Sequence, residues 1–373
     1  MPFNPKNQYD VTFLLPIPTF NIPPGGYDIV FQLSRAMKEY GFKCSIIFIN
    51  SKKYIVWNII KLIFGRSRIS IFYRLLPSIN KLRNVDYDYN ILRGINLYYV
   101  DSIEEIQLNT KAVIATAWST ARTAVEIKEK KNSRGYYLIQ NSEDHVSFSG
   151  NRSAEASETY SFPLKKIVIN DELLSRFSKD FPFFLQIGYN NLRYRRIDGI
   201  KKVPCMVLIP LREGKFKGAR DGLRAFEILH SRVREAKLVA FGDIEKNAVP
   251  DYVEYHFRPT NKKLLELYNL SSVFVLPSIV EGFPTPPLEA MSCGCALVTT
   301  RNGGTDKYTV HGVNSLVCDP GQPEAIASFV EELLRDDALR LKISGNGTEA
   351  CVKYTIETTI SQFVEFMKKE FME

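Results

Sequence analysis

Metal-binding and disulfide chemistry are poorly provided for in this chain of 373 residues. Its six cysteines, at positions 44, 205, 293, 295, 318 and 351, include no C-x-x-C pair, and its four histidines join them in no cluster. A disulfide scaffold and a structural zinc are therefore not expected, and the reduced thiols of a cytoplasmic protein fit best. Long apolar runs are also missing. The longest, residues 54–64, is broken by Asn58 and Lys61. About 20 apolar residues are needed to span a bilayer, so no transmembrane helix is expected. The opening Met1-Pro2-Phe3-Asn4-Pro5 lacks the basic-then-apolar order of a secretory signal. Neither low-complexity segments nor short repeats occur. What remains is ordinary globular composition, 45% hydrophobic and 24% charged, with a length that predicts two domains at roughly 150 residues each.

One absence is local. Residues 51–85 contain no acid, yet they carry Lys52, Lys53, Lys61, Arg66, Arg68, Arg74, Lys81 and Arg83. These eight bases account for the whole formal net charge of +8. A nucleic-acid binder is expected to be basic more evenly, so nucleic acid is not an expected partner. A single basic patch interleaved with Ile55, Trp57, Ile59, Ile60, Leu62, Ile63 and Phe64 suits an anionic lipid surface. The same apolar residues would equally cover the core of their own domain.

The remaining pattern alternates. Residues 11–16 and 44–49 are short apolar runs read as buried parallel strands. Between them lie a turn at Pro23-Pro24-Gly25-Gly26 and a helical repeat of Ile29, Leu33, Ala36 and Met37 that stops at Gly41. A strand–glycine turn–helix–strand unit opens a doubly wound sheet. Further strands are predicted at 112–115, 136–139 and 166–169, each ending in polar residues. Near Gly188 the alternation restarts. Strands at 206–209, 237–240, 273–276 and 296–299 are separated by helices at 222–230, at 262–269 and from Pro286. The Arg- and Asn-rich stretch 189–203 reads as a linker, and a last helix is expected at about 355–371.

In open α/β sheets ligands bind at the carboxyl ends of strands, so the polar tips are the candidate sites. The most informative is the segment Glu281-Gly282-Phe283 that follows the strand at 273–276. Thr285 is placed to cap a helix whose first residue is Pro286. Glu289 lies in the first turn, and the helix N-terminus is suited to phosphate oxygens. An ionised carboxylate there can accept hydrogen bonds from sugar hydroxyls. Arg212 ends the strand at 206–209, and Lys217-Gly218 follows. Two fixed cations at a strand end can neutralise a departing diphosphate without a metal. Lys215 is close by, and the residues alone do not separate it from Lys217.

The run E-G-F-x-x-x-x-L-E-A-M-x-x-G, from Glu281 to Gly294, resembles the signature of retaining, nucleotide-sugar-dependent glycosyltransferases of the GT-B fold, family 4. The resemblance extends from Gly188 to about Cys351. It implies two Rossmann-like, doubly wound α/β domains facing a central cleft: an acceptor-side domain at 1–188, a donor-binding domain at 189–354, and a C-terminal helix at 355–373 crossing back to the first. It also implies that Glu281 meets the transferred sugar, Glu289 the ribose, and Arg212 and Lys217 the pyrophosphate, Lys217 rather than Lys215 because Gly218 follows it as in the family. Gly25, Gly26, Gly282, Phe283, Thr285 and Leu288 complete the donor-binding set. Asn302-Gly303-Gly304 fits the family pattern without a role that the sequence supplies. One departure is clear: Pro284, Pro286 and Pro287 have no N–H, which leaves Gly282, Thr285, Leu288 and Glu289 as the backbone donors of the phosphate cradle.

The first half matches only in outline. Residues 115–119 and 136–143 are similar to bacterial rhamnosyltransferases of surface-polysaccharide assembly. Trp118, Gln140, Asn141, Glu143 and His145 are the acceptor-side candidates. The expected activity is metal-independent retaining hexosyl transfer from a nucleotide-diphospho-sugar to a glycan or lipid-linked glycan, with no cofactor. The expected location is the cytoplasm, peripheral on the inner face of the membrane. A nucleotide-sugar epimerase, an inverting transferase and a non-catalytic scaffold subunit on the same fold are the alternatives.

Overall fold

Buried apolar runs separated by amphipathic stretches form two parallel sheets in the computed structural model, which describes residues 8–16, 25–49, 92–100, 106 and 108–372. The basic segment 51–85 lies outside the described residues. The chain divides into two units, Met1–Phe184 with Phe363–Glu373, and Leu185–Gln362.

The sheet of the first unit has strands β1 (Gln8–Pro16), β2 (Cys44–Ile49), β3 (Asn96–Val100), β4 (Asn109–Ala115), β5 (Arg134–Ile139), β6 (Lys165–Val168) and β7 (Phe183–Phe184). Their spatial order is β3-β2-β1-β4-β5-β6-β7, with Val11 opposite Cys44 on one side and Ala112 on the other. Every pairing is parallel. Helix α1 (Gly25–Glu39) follows β1, and α2 (Trp118–Lys131) follows β4. The Gly25-Gly26 pair, expected in a turn, instead begins α1.

The second unit repeats the plan. Strands β8 (Met206–Leu211), β9 (Lys237–Gly242), β10 (Glu254–Phe257), β11 (Val273–Leu276), β12 (Ala296–Thr300) and β13 (Leu316–Cys318) lie in the order β10-β9-β8-β11-β12-β13. Its helices are α3 (Ala219–Arg232), α4 (Asn261–Leu270), α5 (Pro286–Ser292), α6 (Pro323–Arg335) and α7 (Asp337–Cys351). Side chains alternate across a strand, so each face of the sheet has its own core. Val207, Ile209, Val273, Val275 and Val298 pack with Phe226, Leu229, Val330 and Leu333. Met206, Leu208, Phe241, Phe274 and Leu297 pack with Tyr268, Leu288, Met291 and Tyr308. Burial on both faces explains why these strands read as continuous apolar runs.

The stretch read as a linker is part of the second unit. Tyr189 and Tyr194 are buried in its core. Asn269 ties the stretch down, accepting from the Ile197 N–H (2.9 Å) and donating to the Arg195 carbonyl (3.1 Å). Backbone groups of Tyr189 also exchange hydrogen bonds with Tyr354 and Ile356, at 2.9 Å each. One of its arginines, Arg196, also ties it to the unit, donating to the carbonyls of Asn269 and Cys293 as well as to that of Ile200.

The final helix, α8 (Ile356–Met372), contributes residues to each unit. In the second, Thr359 donates to the Gln186 carbonyl (2.8 Å) and the Gln362 side chain accepts from the Gln186 N–H (3.0 Å). In the first, Phe363 lies against Phe13, Phe366 stacks on Phe183, and Glu370 accepts from the Tyr136 hydroxyl (2.8 Å) and pairs with Lys165.

Candidate active site

In the second unit the first strand, β8, lies next to the fourth, β11, so the strand order reverses between them. Arg212 directly follows β8, and Lys217 ends a short 3₁₀ turn, Lys215–Lys217. Glu281 comes from the loop after β11, and Glu289 from α5. The four residues thus come from the two connections that leave the sheet at its switch point, where open α/β sheets bind ligands.

Lys217 and Glu281 form a two-pronged ion pair. The ammonium lies 3.0 Å from Oε1 and 2.8 Å from Oε2, and the side chains are 28% and 11% exposed. Close backbone approach makes this possible. Gly218 has φ +67°, and a Cβ on it would lie 1.9 Å from the Pro277 carbonyl oxygen. Only glycine lets β8 and β11 deliver their loops this closely. Lys215 is exposed. Arg212 has no carboxylate partner among the described residues and is half-buried.

The loop Asn302-Gly303-Gly304 now acquires a role. The Glu281 N–H donates to the Asn302 carbonyl (2.9 Å). The Asn302 side chain accepts from the N–H groups of Gly304 (3.1 Å) and Thr305 (3.0 Å). A Cβ on Gly304 would sit 2.6 Å from Pro284 and 2.8 Å from the Glu281 Cβ. The loop is therefore the floor on which Glu281 rests. Phe283 packs edge-on against Tyr308, with ring centroids 5.5 Å apart, and the Tyr308 hydroxyl donates to the Pro284 carbonyl (2.7 Å).

Glu289 is held from both sides. The Tyr268 hydroxyl donates to Oε2 (3.0 Å) and the Thr285 hydroxyl to Oε1 (3.1 Å). This corrects two expectations. Thr285 occupies the N-cap position but makes no side-chain cap bond, because its backbone is helical rather than extended and Pro287 at the second helical position has no N–H to give; its hydroxyl donates to the Glu289 carboxylate instead. The Glu289 N–H is not a free cradle donor, because it closes the first turn of α5 on the Thr285 carbonyl (2.9 Å). With Pro286 and Pro287 at the first two helical positions, the helix offers few outward amides. Leu288 is fully buried, so its side chain serves the core. Gly282 is buried beside Phe283. Tyr268 was missed by sequence reasoning. It stands in an ordinary amphipathic helix, 21 residues before its partner.

In the first unit, Trp118 opens α2 three residues after β4, and Gln140, Asn141, Glu143 and His145 follow β5. Glu143 is 6% exposed. Its Oε2 accepts from the Trp118 N–H (2.6 Å) and from the Tyr137 hydroxyl. Ala117 makes no side-chain cap bond, so Glu143 takes over capping of α2 from a distant position. Burial is the largest cause pushing the Glu143 carboxyl up, to about 8. Gln140 donates to the Thr116 carbonyl (3.3 Å), and its side chain fills the space that a Cβ on Gly26 would enter, 2.8 Å from Oε1. The Arg152 guanidinium covers the Trp118 ring at 4.5 Å. Asn141 is half-buried and His145 exposed. The structure thus brings Gly26 to Gln140 and Trp118 to Glu143.

Residues 192–350 match the model of the family Glycosyl transferases group 1. Over 306 residues the chain is 24% identical to the N,N'-diacetylbacillosaminyl-diphospho-undecaprenol alpha-1,3-N-acetylgalactosaminyltransferase of Campylobacter jejuni, covering 75% of this chain and 79% of that protein. The capsular polysaccharide biosynthesis glycosyltransferase CapM of Staphylococcus aureus is 28% identical over 167 residues, which is 42% of this chain and less than half, 44%, of CapM. Among solved structures, HepE of Anabaena in complex with UDP-glucose superposes with a TM-score of 0.71 at 12% identity, over 97% of this chain and 100% of that one. Sucrose-phosphate synthase of Thermosynechococcus elongatus gives 0.70 at 12% identity, over 97% and 99%. Both units are therefore Rossmann-like α/β units of the GT-B kind, and the second carries the pattern of the group 1 glycosyl transferases.

Proposed function

We propose that the chain is a retaining glycosyltransferase that moves a sugar from a nucleotide-diphospho-sugar to a glycan or lipid-linked glycan acceptor in surface-polysaccharide synthesis. The observation that carries the reading is the Lys217–Glu281 pair at the switch point of the second sheet, with Glu289 on the helix that follows in the same connection. In this reading the donor diphosphate draws Lys217 away from Glu281 and lies also against Arg212. The two cations stabilise the charge that develops as the bond between the anomeric carbon and the phosphate oxygen breaks. Glu281 then turns to the hydroxyls of the transferred sugar, and Glu289 holds the ribose. The acceptor hydroxyl attacks from the face the diphosphate leaves. Its proton passes to the departing phosphate oxygen, so configuration is retained and no separate base is required. The first unit, through Trp118, Gln140, Asn141, Glu143 and His145, carries the acceptor side.

The acceptor class is supported by the relative whose name specifies a diphospho-undecaprenol-linked substrate. No described helix is long and apolar enough to cross a membrane, and we place the chain on the cytoplasmic membrane face through its basic segment. Rhamnosyl transfer is the finer reading implied by the first half. The test is thermal shift with UDP, GDP, ADP and dTDP, followed by hydrolysis and transfer assays with their sugars. A nucleoside diphosphate at 100 times its dissociation constant is expected to add about 2.7 kcal/mol of stability. Activity is expected to survive EDTA. Failure of all four nucleotides to raise the melting temperature would sink the function. Loss of activity in EDTA, restored by magnesium, would replace the metal-free mechanism. Faster turnover of UDP-N-acetylgalactosamine or GDP-mannose than of dTDP-rhamnose would replace the rhamnosyl reading.

A further inference from the structure

Glu289 stands on a short helix whose first two residues are prolines, so backbone amides do little to orient its side chain. Orientation comes instead from two hydroxyls, one on each carboxylate oxygen: Tyr268 at 3.0 Å and Thr285 at 3.1 Å. They approach from different elements. Thr285 precedes α5, whereas Tyr268 belongs to α4 and is fully buried.

The Tyr268 ring cannot swing. Tyr194, Phe241 and Phe274 surround it edge-on, with centroids 5.6, 6.1 and 5.7 Å away. Tyr194 is itself tethered by its hydroxyl to the Asn261 side chain (3.1 Å). The backbone behind the ring is also pinned, because the Tyr268 carbonyl accepts from the Lys202 ammonium (2.9 Å) and the Cys295 thiol (3.1 Å). Burial, followed by the charge of Glu289, keeps the Tyr268 phenol protonated well above the usual tyrosine range. The phenol therefore remains a donor. At 3.0 and 3.1 Å neither bond is short, but one donor on each carboxylate oxygen, from two different elements, sets the plane of the group as well as its place. A carboxylate held in this way presents its remaining lone pairs along set lines.

We infer that Tyr268 and Thr285 are positioning residues that aim the Glu289 carboxylate at a ribose hydroxyl, and that they make the site discriminate for a nucleotide whose sugar carries that hydroxyl. This rests on the ribose role of Glu289 proposed above and extends it to Thr285, within the E-x₇-E segment, and to Tyr268, outside it. The side chains of both act through Glu289. Their effect is selectivity for the hydroxyl, which a merely structural role would leave untouched. A core residue that only stabilises the fold would, when altered, weaken binding of every nucleotide alike.

The experiment uses the full chain. The tightest binder among UDP, GDP, ADP and dTDP is compared with the same nucleotide lacking the 3′-hydroxyl, by calorimetry, in wild type, Tyr268→Phe, Thr285→Val and Thr285→Ser. A hydrogen bond to a charged group is worth roughly tenfold or more in binding. Wild type is expected to prefer the intact nucleotide by about that factor. Tyr268→Phe and Thr285→Val are each expected to reduce the preference about threefold or more, whereas Thr285→Ser, which keeps the hydroxyl, retains it. With the sugar donor, Tyr268→Phe and Thr285→Val should raise KM and leave kcat nearly unchanged, the pattern of lost uniform binding. If Tyr268→Phe does not fold, Thr285→Val, at a half-buried position, decides alone. An unchanged 3′-hydroxyl preference in Thr285→Val overturns the inference, as does a wild type that binds nucleotide without that preference. In both cases the nucleotide-sugar function stands. If wild type binds none of the four nucleotides, the function falls and takes this inference with it.

Discussion

A carboxyl group sealed away from water holds its proton past neutrality, and Glu143 is in that position. Burial outweighs the hydrogen bonds from Tyr137 and Trp118 that favour its charged form, and it titrates at about 8 against an ordinary 4.5. The consequence for stability has a definite sign. Below pH 4.5 both folded and unfolded chains are protonated and nothing is lost. Between about 4.5 and 8 the unfolded chain ionises while the folded one does not, so stability falls as pH rises through that window. Glu143→Gln removes the titration and keeps an acceptor for Tyr137 and Trp118. The melting temperature of wild type minus that of Glu143→Gln is therefore expected to fall between pH 5 and pH 8.5. A difference that does not change across this range would show that Glu143 is not a buried titrating group. The residue was legible in the sequence only as a polar group beyond a strand. Its partners are 6 and 25 positions away, and no local pattern announces that a Glu will cap a helix that starts at Trp118. Glu281, Glu289, Arg212 and Lys217 were legible because their spacing is set by short connections at one switch point. Tyr268 was not, because its link to Glu289 exists only after α4 and α5 have packed on the same sheet.

At the scale of elements, buried strands were the easiest to read. The strand predicted at 44–49 and that at 273–276 match β2 and β11 residue for residue, since both are apolar runs covered on both faces. The edge strands β3, β7, β10 and β13 went unread for two physical reasons: β7 and β13 are only two and three residues long, and β3 and β10 are partly exposed. An edge strand is buried on fewer sides, so β10 can carry exposed Glu254 and Phe257 and shows no apolar run. The stretch at 189–203 misled because its ties are to residues distant in sequence: Tyr189 and Tyr194 are buried in the second unit's core, and Arg196 and Lys202 donate to carbonyls at Asn269, Cys293 and Tyr268. Glycine positions give the element-level test. Gly218→Ala forces a side chain into a left-handed conformation, which costs about 1–2 kcal/mol, and places a Cβ against the Pro277 backbone, which cannot rotate away. The second unit is expected to lose more than about 2 kcal/mol in chemical denaturation, with nucleotide binding weakened because Lys217 is displaced. Gly345→Ala is the matched control. Gly345 lies inside α7 with nothing within 4 Å of an added Cβ, and the change should be neutral or stabilising by about 0.4–1 kcal/mol. Equal effects from the two substitutions would contradict the close approach of β8 and β11.

At the scale of the whole chain, charge is the feature that the proposed activity most needs to place. Outside residues 51–85, bases and acids balance; inside, eight bases stand without an acid. A sugar acceptor carried on a membrane lipid presents its reacting end at an anionic surface. An enzyme held at that surface meets its acceptor in two dimensions rather than three. Each Lys or Arg near such a surface contributes about 1 kcal/mol. The contribution is screened by salt, since the Debye length shrinks from about 10 Å at 0.1 M to about 3 Å at 1 M. In the membrane reading proposed above, the aromatic and branched residues among these bases, Trp57, Ile59, Ile60, Ile63 and Phe64, are the apolar part of the interfacial anchor. Sedimentation with vesicles containing phosphatidylglycerol is expected to carry the protein down, vesicles of phosphatidylcholine alone are not, and binding should decline steeply as salt is raised. Replacing Lys52, Lys53, Lys61, Arg66 and Arg68 together by Gln should remove at least most of a roughly 5 kcal/mol attraction. Nucleotide binding should be unchanged, because the donor residues Arg212, Lys217, Glu281 and Glu289 all belong to the second unit. If the five-fold variant sediments with anionic vesicles as well as wild type does, the basic segment is not the membrane contact. If the variant loses nucleotide binding as well, the charge serves the fold instead.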